Sequence, residues 1–171
     1  MTAIVYRDGE AGDAAALAAF ARATWTATFG DNYPPEDLRA FLDARFGAEL
    51  QTRELSDPSH RYRLALKDGA LAGYCLMGPL EMPPVDEPSA LELHRLYLAE
   101  SAKGTGIADA LMEDCVAWAR AGGASALYLS VWENNHRAQR FYRRHGFADH
   151  GVWDFMVGRV ADRDFIWRRA L

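Results

Sequence analysis

LELHRLYLAESAKGTGIADALM, residues 91–112, joins an apolar strand pattern to a short polar turn and the start of an amphipathic helix. Two glycines in the turn, Gly104 and Gly106, allow the backbone to approach a ligand closely. The first N–H groups of the following helix have no partner within the helix, and the helix dipole adds partial positive charge there. This order of strand, turn and helix predicts an anion site that fits a phosphate or pyrophosphate.

A tight connection between a strand and a helix, without any ligand, is the alternative interpretation, because short glycine motifs often match by chance. Two well-known phosphate loops are excluded. No Gly-Lys-Ser/Thr follows at the spacing of a P-loop, and Asp109 stands where the dinucleotide fingerprint needs its third glycine. The turn is therefore either a different anion-binding loop or a plain connection.

The strand within this stretch changes its hydrophobic phase. Leu91 and Leu93 alternate in one phase, Leu96 and Leu98 alternate in the other, and the change falls at His94–Arg95. One extra residue at this point, a β-bulge, would place all four leucines on one face. A strand buried on both faces would show the same pattern without a bulge. We favour the bulge.

Length and composition indicate one domain over residues 1–171 with a sizeable core. Half of the residues are hydrophobic and 12% are aromatic, which argues against disorder. The 19 Lys and Arg against 24 Asp and Glu give a net charge of −5. This balance favours neither nucleic acid nor an anionic membrane as a partner, and it suits a small cationic substrate slightly better.

The cysteines give no sign of a disulfide or metal framework. Cys75 and Cys115 lie far apart in apolar patterns without metal-ligand spacing, so we predict buried thiols in a reducing compartment and no metal. The segment MTAIVYRDGE lacks the charged and apolar regions of a signal peptide, and no stretch is apolar enough to span a bilayer. A cytoplasmic location is the expectation.

The first half of the chain predicts a short strand, three helices and a hairpin. The strand covers Thr2–Arg7, and the helices cover residues 14–29, 34–46 and 48–55. Arg61–Lys67 and Leu71–Met77 are strand patterns joined by Asp68-Gly69, a strong hairpin signal. Aromatic residues between the first two helices either pack in the core or form a wall of an acceptor pocket.

The second half predicts further strands around one more helix. Gly78–Ser89 is a proline-rich, acidic loop, and Ser125–Val131 is a buried strand. A helix over His136–His145 ends at a glycine, and Phe147–Val157 pairs with Asp164–Arg168. Together the elements predict a mixed α/β sheet with helices on both faces.

Two motifs, in the right order and spacing, resemble the GNAT superfamily of acetyl-CoA-dependent N-acetyltransferases. LYLAESAKGTGIADALM resembles the family's pyrophosphate loop, Arg/Gln-x-x-Gly-x-Gly/Ala, and reads Lys103-x-x-Gly106-x-Ala108 here. LYLSVWENNHRAQRFYRRHGF, residues 127–147, resembles the strand and helix that follow that loop in the family. The resemblance implies a mostly antiparallel sheet of about seven strands with a splayed central strand and helices on both faces.

Looser patterns extend the resemblance over most of the chain to the bacterial spermidine/spermine acetyltransferase-like (PaiA-type) proteins. ATWTATFG with PPEDLRAFLDARF resembles their first two helices, and FADHGVWDFMVG with DRDFIWRRAL resembles their last two strands. This branch implies direct acetyl transfer from acetyl-CoA to a polyamine or another small cationic amine. An aminoglycoside, an amino acid or a protein N-terminus is the alternative acceptor, and a non-catalytic CoA-binding sensor is the alternative function.

The resemblance also implies where acetyl-CoA binds. The loop from Lys103 to Ala108 would hold the pyrophosphate, and Leu96–Leu98 would line the pantetheine with backbone groups. The N–H of Leu98 is the candidate for polarising the thioester carbonyl, and Asn135 would hydrogen-bond the pantetheine arm, cap a helix, or do both. The predicted cofactor-binding residues are Leu96, Tyr97, Leu98, Lys103, Gly104, Thr105, Gly106, Ile107, Ala108, Asn135 and Tyr142.

Two residues are predicted to be catalytic. Tyr142 matches the family's tyrosine near the sulfur and would be the general acid, unless it is a core tyrosine whose hydroxyl is bonded elsewhere. Glu92 aligns with the base of several family members and would act through a water, unless it forms a salt bridge to Arg95 or Arg61. His94 is the lesser candidate for the base.

Two further expectations concern the acceptor and the assembly. Acidic residues around the expected acceptor mouth are compatible with a cationic amine: Asp31, Glu36, Glu81, Asp86 and Glu87. Many relatives form dimers through their C-terminal strands, so a homodimer is one possibility. The aromatic residues of those strands could equally belong to the core.

Overall fold

The computed structural model describes residues 3–171, so Thr2 of the predicted first strand lies outside the described residues. The strands are β1 (Ile4–Asp8), β2 (Arg61–Lys67), β3 (Ala70–Pro79), β4 (Leu91–Leu98), β5 (Ala126–Trp132), β6 (Ala148–Val157) and β7 (Val160–Ala170). The helices are α1 (Ala14–Phe29), α2 (Pro35–Phe46), α3 (Ala48–Ser56), α4 (Ile107–Ala121) and α5 (His136–Arg144).

One seven-stranded sheet runs in the order β1-β2-β3-β4-β5-β7-β6. Every neighbouring pair is antiparallel except β4 and β5, which are parallel and pair only at Leu91↔Leu127 and Glu92↔Tyr128. The two central strands therefore separate beyond Glu92. The predicted mixed, mostly antiparallel sheet with a splayed central strand is confirmed.

Helices cover both faces of this sheet, as predicted. Along β3, Cys75 and Met77 point to the face that packs against α4, whereas Tyr74 and Leu76 point to the face that packs against α1 and α2. This alternation is the ordinary period of a strand that is buried on both sides. The core is therefore divided into two layers by the sheet.

The predicted bulge in β4 is present at His94. Leu93 pairs with Met77 and Arg95 pairs with Leu76, so His94 has no partner in the register with β3. This extra residue lets all four leucines of β4 face the α4 side. It also turns Arg95 to the opposite face, where Glu92 lies.

The last hairpin is longer than the sequence pattern indicated. Pairing of β6 with β7 continues to Val157↔Val160, up to a turn in which Gly158 has φ +57°. The pattern predicted only Asp164–Arg168 for the second strand, because residues 160–163, which lie nearer the turn, show only a weak alternation of apolar and polar residues. The predicted burial of Cys75 and Cys115 is confirmed, and their Sγ atoms lie 3.0 Å apart. Within residues 3–171 no helix has the length and apolarity needed to cross a membrane.

Candidate active site

A cleft of about 900 Å³ opens where β4 and β5 separate. It passes from the glycine turn before α4 to a chamber beneath α1 and α2. Most of the residues predicted from the sequence line it: Glu92, Leu96, Tyr97, Leu98, Lys103, Gly104, Gly106, Ala108, Asn135 and Tyr142. The fold therefore brings the predicted cofactor and catalytic residues together in one place.

The backbone of β4 turns polar groups towards this cleft. The N–H of Ala99 donates to the carbonyl of Ala72 at 2.9 Å, which identifies a hydrogen-bonded pair in the β3–β4 ladder. Hydrogen-bonded and non-hydrogen-bonded pairs alternate along an antiparallel ladder, so Leu98 and Leu96 direct their N–H and C=O away from β3. These groups face the side where β5 has already separated from β4.

The glycine turn has the backbone conformation of an anion-binding loop. Gly104 and Gly106 have φ of +78° and +88°, which residues other than glycine rarely adopt. The first hydrogen bond of α4 runs from the N–H of Ala110 to the carbonyl of Gly106 at 3.1 Å. The preceding N–H groups are therefore not used by the helix, and they remain at its positive end.

The side chains of the turn are occupied by local contacts. Lys103 Nζ lies 2.5 Å from Glu100 Oε2, and the hydroxyl of Thr105 donates to the carbonyl of Ala102 at 2.6 Å. Ile107, the first residue of α4, is buried in the core and, like Thr105, does not line the cleft. The groups that this turn can offer to a phosphate are mainly backbone N–H groups.

The start of α5 forms the facing wall of the cleft. The side-chain oxygen of Asn135 accepts from the N–H of Ala138 at 3.2 Å, which confirms the predicted helix cap and leaves the amide NH₂ group free. Arg137, Arg140 and Arg144 also line the cleft and make this end of it positively charged. A phosphate-bearing ligand is favoured at this end.

Tyr142 lies deeper in the cleft, partly buried against the core beneath α5. Among residues 3–171, no group forms a hydrogen bond with its hydroxyl, so the alternative of a tyrosine bonded elsewhere finds no support. Burial raises the pKa of the Tyr142 phenol above its ordinary value, with a smaller contribution from Tyr97. The phenol is therefore protonated at neutral pH and can donate a proton.

Glu92 is 8% exposed and lines the cleft on the same side of the sheet as Arg95. Its Oε1 lies 3.4 Å from Nδ1 of His94, and its Oε2 accepts from the N–H of Glu81 at 2.9 Å. Burial raises the pKa of the Glu92 carboxyl, but the contacts with His94 and Glu81 outweigh it, and the net pKa is lowered. Glu92 is therefore ionised at neutral pH.

The alternative salt bridges for Glu92 are wrong, because both arginines have other partners. Arg61 pairs with Asp8 at 3.0 Å, and Arg95 pairs with Glu54 at 2.9 Å. Arg95 is 3% exposed, and it also donates to the hydroxyl of Tyr62 at 2.9 Å. This buried network ties β4 to α3 and does not include Glu92.

The chamber beneath α1 and α2 has aromatic walls and an acidic floor. Asp162 and Asp164 of β7 line it, and Asp162 accepts a hydrogen bond from the hydroxyl of Tyr33. Burial raises the pKa of the Asp164 carboxyl to about 6, although a hydrogen bond from Ser130 at 3.0 Å opposes this. The aromatic walls comprise Trp25, Phe29, Tyr33, Phe41, Trp132, Trp153 and Phe155.

Of the aromatic residues around the end of α1, Trp25 and Tyr33 are buried in the core, as one interpretation expected, and they also line the chamber. The acidic mouth differs from the expectation. Of its five predicted residues only Glu81 lines the cleft, and Glu87 binds Arg168 at 2.9 Å instead. The sequence pattern did not predict Asp162 and Asp164 to line the chamber, because they resemble the ordinary polar positions of a hairpin at the edge of a sheet.

Comparison with known proteins agrees with this geometry. The sequence model of the Acetyltransferase (GNAT) family matches residues 17–147. An uncharacterized N-acetyltransferase of Mycobacterium tuberculosis is 33% identical over 159 residues, which cover 93% of this chain and 98% of that protein. A spermine/spermidine N(1)-acetyltransferase of Bacillus subtilis is 30% identical over 97 residues, covering 54% and 62% of the two chains.

Among solved structures, a PaiA N-acetyltransferase of Thermoplasma acidophilum in complex with coenzyme A aligns with a TM-score of 0.79. It is 22% identical in sequence, and the alignment covers 99% of each chain. At this level of identity the likeness shows the fold.

Proposed function

The chain belongs to the GNAT acetyltransferase family and is an acyltransferase that uses acetyl-CoA; from this we propose that it transfers acetyl directly to the primary amine of a small cationic molecule, a polyamine or a close analogue. One observation carries the proposal. The cleft between β4 and β5 has a phosphate-type turn and arginines at one end and an acidic, aromatic chamber at the other. A thioester and an ammonium group would meet in the middle.

Coenzyme A fits the first end of the cleft. The N–H groups at the start of α4 would hold its pyrophosphate, as Gly104 and Gly106 allow. The outward backbone groups of Leu96 and Leu98 would hold the pantetheine as a further strand holds its neighbour. The amide NH₂ of Asn135 would donate to the same arm from the facing wall.

Acetyl-CoA supplies an activated acyl group, and the chain supplies charge stabilisation at the carbonyl. The N–H of Leu98 would donate to the thioester oxygen, which gains negative charge as the amine attacks. The donor is fixed by the β3–β4 ladder, so it needs no rearrangement during the reaction. Tyr142 would donate its proton to the departing sulfur, and its raised pKa keeps that proton available.

The acceptor must lose a proton before it attacks, because a primary amine has a pKa of about 10. Glu92 is ionised and lines the middle of the cleft, and we assign it the role of base acting through a water. His94 is a poorer candidate, because its Nε2 lies 3.0 Å from the carbonyl of Pro79 and its Nδ1 faces Glu92.

The chamber favours a cationic acceptor with more than one charge. Asp162 and Asp164 offer carboxylates away from the reacting centre, and Glu92 offers a third beside it. A polyamine has amines separated by methylene chains, which aromatic walls can bury while the carboxylates pair with its charged ends. A neutral or acidic amino acid would lack such partners.

A panel of acceptors tests this proposal. Release of the CoA thiol is measured with spermidine, spermine, aminoglycosides, amino acids and short peptides, alongside CoA binding by calorimetry. We expect saturable rates with the polyamines, and the KM for spermidine should rise at least tenfold in Asp162→Asn. The exposed loop variant Asp86→Asn is the matched control. Tight CoA binding without release for any amine would instead support the sensor.

A further inference from the structure

We infer that His60, Glu81 and His94 form a binding site for one divalent transition-metal ion of the zinc class. The candidate ligand atoms of the three side chains all lie within 4.8 Å of one another. They come from three separate segments: the turn before β2, the loop after β3 and the bulge of β4. Two imidazoles and one carboxylate are a common protein ligand set for Zn²⁺, with a fourth position left for water.

Both imidazoles are oriented as metal ligands usually are. His60 Nδ1 lies 3.2 Å from Oδ2 of Asp57, and His94 Nδ1 lies 3.4 Å from Oε1 of Glu92. A histidine that ligates a metal through Nε2 almost always donates its Nδ1–H to such a carboxylate or carbonyl oxygen. These contacts fix the rings through Nδ1, so Nε2 of each is the atom that faces a metal, and Nε2 of His94 would first give up its contact with the carbonyl of Pro79.

Gly78 of β3 makes room for the two Nε2 atoms. A Cβ at this position would lie 2.9 Å from Nε2 of His60 and 3.1 Å from Nε2 of His94. Both atoms therefore converge over one point of the strand, and the two rings stack with centroids 5.9 Å apart. A larger residue at Gly78 would push the rings apart.

The surrounding charge suits a cation. Glu81, Asp57 and Glu92 place three carboxylates in contact with the cluster or with its histidines. His94 Nε2 now lies 3.0 Å from the carbonyl of Pro79, and binding of a metal would replace that contact. The side chains of His60 and His94 are 13% and 5% exposed, so an ion between them would be shielded from solvent. Glu81 would reach this ion from the exposed loop after β3.

An ion at this site would fasten the loop after β3 to the sheet. Glu81 and the buried Met82 line the acceptor side of the cleft, so the loop that carries them would be fixed against β2 and β4. Ligation would also hold His94 as a metal ligand and leave Glu92 as the base. An ion held by this cluster would not depend on the identity of the acceptor.

Cobalt(II) absorption tests the site on the full chain with any affinity tag removed. We expect a saturable visible band at one ion per chain that Zn²⁺ displaces. Glu81→Gln should weaken binding at least tenfold, and His60→Gln at least a hundredfold. Asp86→Asn and His136→Gln are matched exposed controls and should bind as the wild type does.

Thermal melts give a second readout, because an ion that binds only the folded state raises Tm. Zn²⁺ should raise the Tm of the wild type and of both controls, and at the same Zn²⁺ concentration it should raise the Tm of Glu81→Gln by less. Glu81 is exposed, so this variant keeps the fold even where His60→Gln does not. Absence of a saturable cobalt band, or a Glu81→Gln variant that binds like the wild type, overturns the site.

Discussion

His94, the bulged residue of β4, has its Nδ1 3.4 Å from Oε1 of Glu92 in the same strand. The pair links the middle of the cleft to the cluster of His60 and Glu81 at its edge. It also keeps Glu92 ionised, because the contact with His94 opposes the effect of burial on the carboxyl pKa. Glu92 can therefore serve as a base while His94 has a separate role.

Glu92→Gln should lower the rate most at low pH. The acceptor amine is most protonated at low pH, so loss of the group that takes the amine's proton lowers the rate most there. Because the pKa of Glu92 is lowered on folding, the carboxylate also stabilises the protein above its unfolded pKa, and that stability is lost as the pH falls through the folded pKa. Rates from pH 5 to pH 9 measure the first effect, and urea melts extended below pH 4.5, the ordinary pKa of a glutamate, measure the second. Glu113→Gln on the exposed face of α4 is the control, and an unchanged rate profile removes Glu92 from the mechanism.

Tyr142→Phe should slow turnover by about 10²–10⁴-fold, the usual contribution of a general acid, and leave CoA affinity nearly unchanged. The hydroxyl has no hydrogen-bond partner among residues 3–171, so its removal leaves no buried group unsatisfied. Steady-state rates and calorimetry with CoA separate the two quantities. Tyr6→Phe in β1, outside the cleft, is the matched control. Equal rates for both variants would show that another group protonates the sulfur.

Asp164 should make acceptor binding depend on pH. Its pKa is raised to about 6, chiefly by burial, so it becomes charged as the pH rises through that value while the amine stays protonated. The KM for spermidine should therefore fall between pH 5 and pH 7, and Asp164→Asn should abolish this fall.

The stability of the folded protein should fall over the same pH range in which spermidine binding improves. A carboxyl whose pKa is raised on folding binds its proton more tightly in the folded state, so stability falls as the pH rises through about 6. Asp164→Asn should therefore be more stable than the wild type at pH 7 while it binds spermidine less well. A variant that is less stable at pH 7 would contradict this assignment.

Gly106→Ala should weaken both the fold and CoA binding. The φ of +88° is strained for alanine by about 1–2 kcal/mol, although no atom lies within 4 Å of the new Cβ. Relief of that strain would move the N–H groups at the start of α4. Gly12→Ala, which is also free of close contacts and lacks a positive φ, is the control. Melts and CoA titrations should distinguish the two variants; equal CoA affinity would mean that the turn does not hold the pyrophosphate.

Local patterns predicted most of the fold. The phase change of the leucines in β4 predicted the bulge at His94, and Asp68-Gly69 predicted the hairpin, whose turn has φ of +54° and +78°. These features are contained in short stretches of sequence. The ends of β7 were less well predicted, because pairing with β6 extends the strand beyond its apolar part.

Contacts between distant segments could not be predicted in the same way. Glu87 sits in an acidic loop, but Arg168, 81 residues later, takes its carboxylate. Asp162 and Asp164 reach the aromatic chamber only because β7 lies beside β5. The sequence predicts no metal site, because the spacing of His60, Glu81 and His94 matches no local motif and only the folded sheet brings them together.

Initial rates with both acetyl-CoA and spermidine varied, with the acceptor product identified by mass spectrometry, test direct transfer to a cationic amine most directly. Direct transfer predicts intersecting double-reciprocal lines, one N-acetylated polyamine formed for each thiol released, and no acetylated protein on the pathway. Parallel lines with an acetylated enzyme, or thiol release without acetylated polyamine, would contradict it.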